Sequence, residues 1–202
     1  MTSKRRQGRV REAGWARRAM GAAVLGLLAA VLVAPAAAQE AQAGPRQPYC
    51  GITWGSLPRS AVSAYDSTLS DVRAGQHRCF DRLVLDFAGR AGDYSVRYVD
   101  QLRGIGSTSP VAVRGGARLA VVIEVPYGED APSFYRDYRP SNRWELVRVD
   151  GWRTFRQVAL VDLHESQATL GLGVRARLPF RAFTLQGPGN GSRLVIDVAH
   201  RW

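Results

Sequence analysis

Two stretches of this chain carry the same side-chain chemistry in the same order. Arg82-Leu83-Val84-Leu85-Asp86-Phe87-Ala88 is echoed by Arg193-Leu194-Val195-Ile196-Asp197-Val198-Ala199, with five of the seven residues identical. Read as strands, each stretch puts Arg, Val and Asp on one face and the Leu/Ile/Phe set on the other. The Arg and Asp of one strand then stand about 13 Å apart, too far to bond each other. Each needs a cross-strand or external partner. A cross-strand ion pair would set strand register and, if exposed, contribute little energy. A duplicated half-domain with matching surface patches would instead make Arg82, Asp86, Arg193 and Asp197 the candidate binding residues.

Other chemistry is sparse. A hydrolase would need a carboxylate pair, and Asp86, Asp162, Glu165 and Asp197 are the sensible candidates. His164-Glu165 beside Asp162 reads more simply as an exposed strand end. G-x-S-x-G and H-E-x-x-H do not occur. Gly171-Leu172-Gly173-Val174-Arg175-Ala176 fits G-x-G-x-x-A, but strand-like residues and Pro179 follow where a dinucleotide site needs a helix, so the glycines are expected to mark a bulge or bend. Every basic residue after Lys4 is Arg, which leaves no lysine for a Schiff base or a phosphate loop. Cys50 and Cys79 are the only cysteines and read as one disulfide in an oxidising compartment. With three scattered histidines they form no metal pattern, and no cofactor is implied. His77 is expected to flank the disulfide, and His200 to pack or cap beside Trp202. Trp54, Trp144 and Trp152 could stack on sugar rings, although core packing is the commoner use of Trp in a small β domain.

The setting comes from the leader. Seven basic residues and one acid precede the apolar run Gly21–Val33, and Pro35 and Ala36-Ala37-Ala38 follow it. That order reads as a secretory signal peptide over residues 1–38, with cleavage after Ala38 or, second, Ala43. The run falls short of the about 20 apolar residues of a membrane span. Arg17-Arg18 leaves twin-arginine export open beside the general route. Residues 39–49 read as a linker and 50–202 as one domain. This places the mature chain in the extracytoplasmic envelope, with no stable membrane span after cleavage. From Gln39 onward, 21 basic residues (28 less seven) face 16 acidic ones (17 less one). Their signs alternate, which is not a nucleic-acid-binding composition.

Short apolar-rich runs separated by Gly, Pro, Asn and Asp must position these residues. Strands are expected at 80–87, 94–99, 118–125, 144–149, 158–163, 169–177, 180–185 and 193–198. Residues 60–73 read as a short helix or a loop carrying Leu69 and Val72 inward. Residues 127–142 read as a long polar excursion, either functional or simply pinned by Phe134 and Tyr138. The fold class expected is all-β, a single antiparallel sandwich with a pseudo-repeated half.

With the echo in hand the chain resembles the AMIN-like domains, relatives of the amidase N-terminal domain of bacterial cell-envelope proteins. The supporting segments are CGITWGS, GQHRCFDRLVLDFAG, YSVRYVD, PVAVRGGARLAVV, LPFRAF and SRLVIDVAHRW, spanning residues 50–202. The resemblance implies a β-sandwich without catalytic machinery that binds peptidoglycan or an envelope protein. A structural or inhibitory partner of another secreted protein is the alternative, and a wall hydrolase a third reading.

Overall fold

The structure, a computed structural model, describes residues 47–63, 68–125 and 138–202. The leader, residues 39–46 of the linker and 127–137 of the polar excursion, with Phe134, lie outside the described residues. Among the described residues eleven strands follow a 3-10 turn at Tyr49–Gly51: β1 (Arg59–Ala61), β2 (Leu69–Gln76), β3 (Phe80–Phe87), β4 (Tyr94–Val99), β5 (Leu102–Arg103), β6 (Pro110–Val111), β7 (Ala117–Glu124), β8 (Phe155–His164), β9 (Gln167–Val174), β10 (Phe180–Gln186) and β11 (Ser192–Ala199). They build a five-stranded sheet in the order β1-β4-β7-β9-β8, a four-stranded sheet in the order β10-β11-β3-β2, and the small β5–β6 ribbon. All pairings are antiparallel. No helix among the described residues is long and apolar enough to cross a membrane.

The core follows from period-2 alternation. Leu83, Leu85 and Phe87 of β3 and Leu194, Ile196 and Val198 of β11 face Val96, Leu119, Val121, Ile123, Leu170 and Leu172 of the other sheet. The expected all-β sandwich is the fold observed. Three local readings change. Residues 69–76 form a strand, not a helix or loop. A bulge between Leu69 and Asp71 lets Leu69 and Val72, three residues apart, both enter the core, a spacing that a regular strand forbids. Residues 144–149 form no strand. They run irregularly along the edge of β8, where Leu146 N donates to Val158 O and the Arg143 guanidinium to the carbonyls of Leu160 and Val161. Capping this edge hides backbone groups that would otherwise template association. The two β9 glycines are not bulge sites, because β9 is continuous and the irregularities lie in β8. They admit a close approach from the β5–β6 arm, which folds over the outer face of the five-stranded sheet. A Cβ on Gly173 would lie 1.9 Å from Arg114 O, and one on Gly171 2.6 Å from Leu102. Beneath the arm Leu102, Val113, Ala120, Ala159 and Val161 make a second small core.

Cys50 and Cys79 are disulfide-bonded, joining the first turn to the residue before β3. Tyr138 is buried in the main core, the anchoring role that one of the two readings of this segment gave it.

Candidate functional site

The two motif strands are the second strands of two hairpins, β2–β3 and β10–β11, and the hairpins join through them. In the β3–β11 pairing Arg82 stands opposite Asp197 and Arg193 opposite Asp86, a local pseudo-twofold. The repeat therefore makes one central strip on the outer face of the four-stranded sheet, not two separate patches. Val84 and Val195 lie on that face as well, buried but outside the core cluster.

The two halves of the strip differ. Asp197 is fully buried and accepts from Arg82 Nε at 2.6 Å, Arg82 Nη2 at 2.9 Å and Arg181 Nε at 2.8 Å. Hydrogen bonding to Asp197 raises the Arg82 pKa above its ordinary value, against the opposing pull of burial. Asp86 does not bond Arg193. It takes Arg73 of β2 instead, through Nε at 2.6 Å and Nη2 at 3.0 Å, which likewise raises Arg73. Arg193 is left with one acceptor, Gln186 O at 3.2 Å, and its buried Nε has no partner among the described residues. Rings flank the other half. The Arg181 guanidinium lies 4.3 Å from the Trp54 ring centroid and 4.9 Å from that of Phe183, and Trp54 meets Phe80 edge-on at 5.6 Å.

Arg73 and Arg181 were not singled out from the sequence. For Arg181 the cue was present: alternation in Phe180-Arg181-Ala182-Phe183 sends Arg181 and Phe183 to the face of Asp197. For Arg73 there was none, because the β2 bulge hides which face it takes.

Residues 67–200 match the AMIN-like domain family. The chain belongs to that family. A search of curated proteins gave no significant match. In this AMIN-like domain the four candidate carboxylates are not brought together. Asp86 and Asp197 are committed to arginines on one sheet, and Asp162 of the other accepts Ile105 N at 2.7 Å. Glu165, in the exposed β8–β9 turn, lies 3.9 Å from His164 at the end of β8. No group of three or more potential metal ligands occurs among the described residues.

The motif strands also begin alike. The residue before each arginine points inward, and each is polar: Asp81 and Ser192, both buried. Asp81 accepts Thr154 N and Phe155 N at 2.8 and 3.0 Å, while Ser192 Oγ accepts Ala91 N and donates to Gly89 O. Each pins a crossing segment to the sheet. His200 lies beside Asp81, with Nε2 donating to His77 O and Nδ1 2.9 Å from Thr154 Oγ1. With both ring nitrogens engaged and the ring buried, His200 has the packing role expected of it. His77 stacks on Phe80 at 4.5 Å, close to the disulfide. Of the three tryptophans considered for sugar stacking, Trp152 packs on the core, Trp54 is half-buried on the strip, and Trp144 is exposed under Arg143.

Proposed function

We propose that this AMIN-like domain is a non-catalytic cell-envelope module that binds peptidoglycan through the outer face of the β10-β11-β3-β2 sheet. The observation that carries the reading is the antiparallel union of the two motif strands, which orders four arginines into one strip. Asp71, opposite Asp86, and Asp197, opposite Arg82, lie on this face too and with Asp86 make three carboxylates. Arginine is thus in excess by one, and Arg193 is the arginine without a carboxylate partner among the described residues. Its fork suits a wall-peptide carboxylate, while Trp54 and Phe183 supply flat apolar surface of the kind that the CH faces of glycans cover. Family membership supports an envelope role, and export by the leader over residues 1–38 belongs to this proposal.

Co-sedimentation of the purified protein with peptidoglycan sacculi tests it. Saturable binding that survives moderate salt, weakened several-fold by Arg193→Gln, is the expected result, since surface charge attraction alone is screened over about 10 Å at 0.1 M salt. Sacculi that leave the protein in solution would overturn the wall reading and leave an envelope protein as partner. Release of muropeptides would overturn the non-catalytic part.

A further inference from the structure

A second concave site lies on the opposite sheet, away from the motif strip. The outer face of β4, β7 and β9 forms its floor and the β5 end of the arm its wall, enclosing a cleft of about 320 Å³. That is the lower end of the usual range for small-molecule sites. The wall is held in place. Asp162 accepts Ile105 N, Ser107 N closes a turn onto Gly104 O, and the Asp162 carboxylate packs so closely on Gly104 that a Cβ there would lie 2.9 Å from it.

The lining has one sign of charge. Arg97 and Arg103 border the cleft, and among the described residues no carboxylate does. Neither arginine makes an ion pair among the described residues. Arg97 has only a long contact of 3.4 Å to Ser95 Oγ, and Arg103 bonds the Gln101 amide oxygen. The nearby carboxylates bond neutral donors, Asp162 accepting from Ile105 N and Glu124 from Gln167 Nε2, and neither makes an ion pair with Arg97 or Arg103. On the floor the Thr169 side chain, 7% exposed, has no hydrogen-bond partner among the described residues. Val122 supplies an apolar floor, and Ile105 (47% exposed) an apolar lip.

Two guanidinium groups lining a sugar-sized cleft without an ion-pair partner among the described residues, a hydroxyl with no partner among them and an aliphatic floor specify a compact ligand with one anionic oxygen group and one apolar face. We infer that this cleft is a second ligand site, for a carboxylate-bearing amino sugar. N-acetylmuramic acid is the wall sugar of that description where its lactyl carboxylate is free, since the stem peptide otherwise holds that group as a neutral amide. The choice of sugar rests on the wall-binding reading, whereas the anion preference rests on the cleft alone.

Titration of the protein with N-acetylmuramic acid and with N-acetylglucosamine, followed by NMR at matched ionic strength, tests it. The expected result is saturable shifts in residues 97–105 and 167–169 with the acid and at least tenfold weaker binding of the neutral sugar. Arg97→Gln and Arg103→Gln, both exposed and outside the core, are each expected to weaken the acid about tenfold, with the remaining spectrum unchanged. Thr169→Val gives an uncharged second test, with a smaller loss and no change in salt dependence. Equal binding of the two sugars, or binding indifferent to both arginines, would overturn the inference. Sacculi sedimented in parallel separate the two readings. Protein that sediments but ignores the acid overturns the cleft and leaves the wall reading standing. Protein that binds the acid but not sacculi does the reverse.

Discussion

Asp197 and Asp86 hold equivalent places in the two motif strands and unequal environments. The Asp197 side chain is 0% exposed and carries two arginines, whereas Asp86 is 19% exposed and its Arg73 partner 52%. An exposed pair of the second kind contributes about 0–1 kcal/mol. Asp86→Ala is therefore expected to leave the urea midpoint nearly unchanged. Asp197→Ala removes the acceptor from two guanidinium groups that can still reach water, a loss of about 2–3 kcal/mol. The pair Arg82→Gln with Arg181→Gln strands a buried carboxylate and is expected to cost more, about 3–5 kcal/mol. Equal costs for Asp86→Ala and Asp197→Ala in equilibrium unfolding would refute this ordering. A second residue-scale effect is set by pH. Burial, with Asp71 nearby, pushes the Tyr138 phenol from 10.0 up to about 12, and burial also raises Tyr94 and Tyr98. A raised phenol means that the folded state retains protons which the unfolded chain releases. This stability is intact below pH 10 and is lost as pH climbs to about 12. Unfolding free energies measured across that window should decline, and Tyr138→Phe should flatten the decline. A slope unchanged in Tyr138→Phe would remove Tyr138 from the account.

At the level of elements, the arm over β9 depends on two positions without side chains. Gly173→Ala places a methyl group 1.9 Å from Arg114 O, a backbone atom that can only move by lifting the arm. The expected cost is at least about 1–3 kcal/mol, with faster amide exchange in residues 102–116 and unchanged exchange in β3 and β11. Uniform loss of protection across both sheets would mean that the arm is not a separable unit. The strands beneath it were legible to different degrees. Phe80–Phe87 and Tyr94–Val99 begin and end where alternation and their flanking Gly, Asp and Cys residues place them. Residues 69–76 were hidden by the bulge at Ser70, which turns a strand's burial period from two to three. WELVRV alternates as a strand does, but alternation reports which side chains are buried, not whether a ladder forms. Arg143 occupies the β8 carbonyls Leu160 and Val161 that a ladder there would use. The same limit applies to the strip. Period-2 spacing named Arg82, Asp86, Arg193 and Asp197, yet nothing local in the sequence says that Asp86 is taken by Arg73 or that Arg193 has no carboxylate partner among the described residues.

For the whole molecule, the pseudo-twofold between hairpins and the disulfide act on different parts of the chain. The β3–β11 pairing joins residues more than a hundred positions apart and is closed by side chains on both faces, Arg82–Asp197 outside and the leucine rows inside. The Cys50–Cys79 bond instead joins residues 29 positions apart and closes a loop that contains β1 and β2. These are weakly held elements, since β1 is three residues long and sits at a sheet edge, while β2 is a bulged edge strand. Loop closure of this size stabilises by about 3–4 kcal/mol in the chain-entropy account. Reduction, or the double substitution Cys50→Ser with Cys79→Ser, is therefore expected to lower the unfolding free energy by that amount. Amide exchange should rise first in residues 59–76, while β3 and β11 hold their protection until global unfolding. The test is a pair of urea transitions, oxidised and reduced, with exchange measured on the reduced protein. If the reduced protein keeps its midpoint, the bond constrains nothing that the sandwich does not already fix. If protection falls first in β11, the motif strands depend on the covalent link and not on each other.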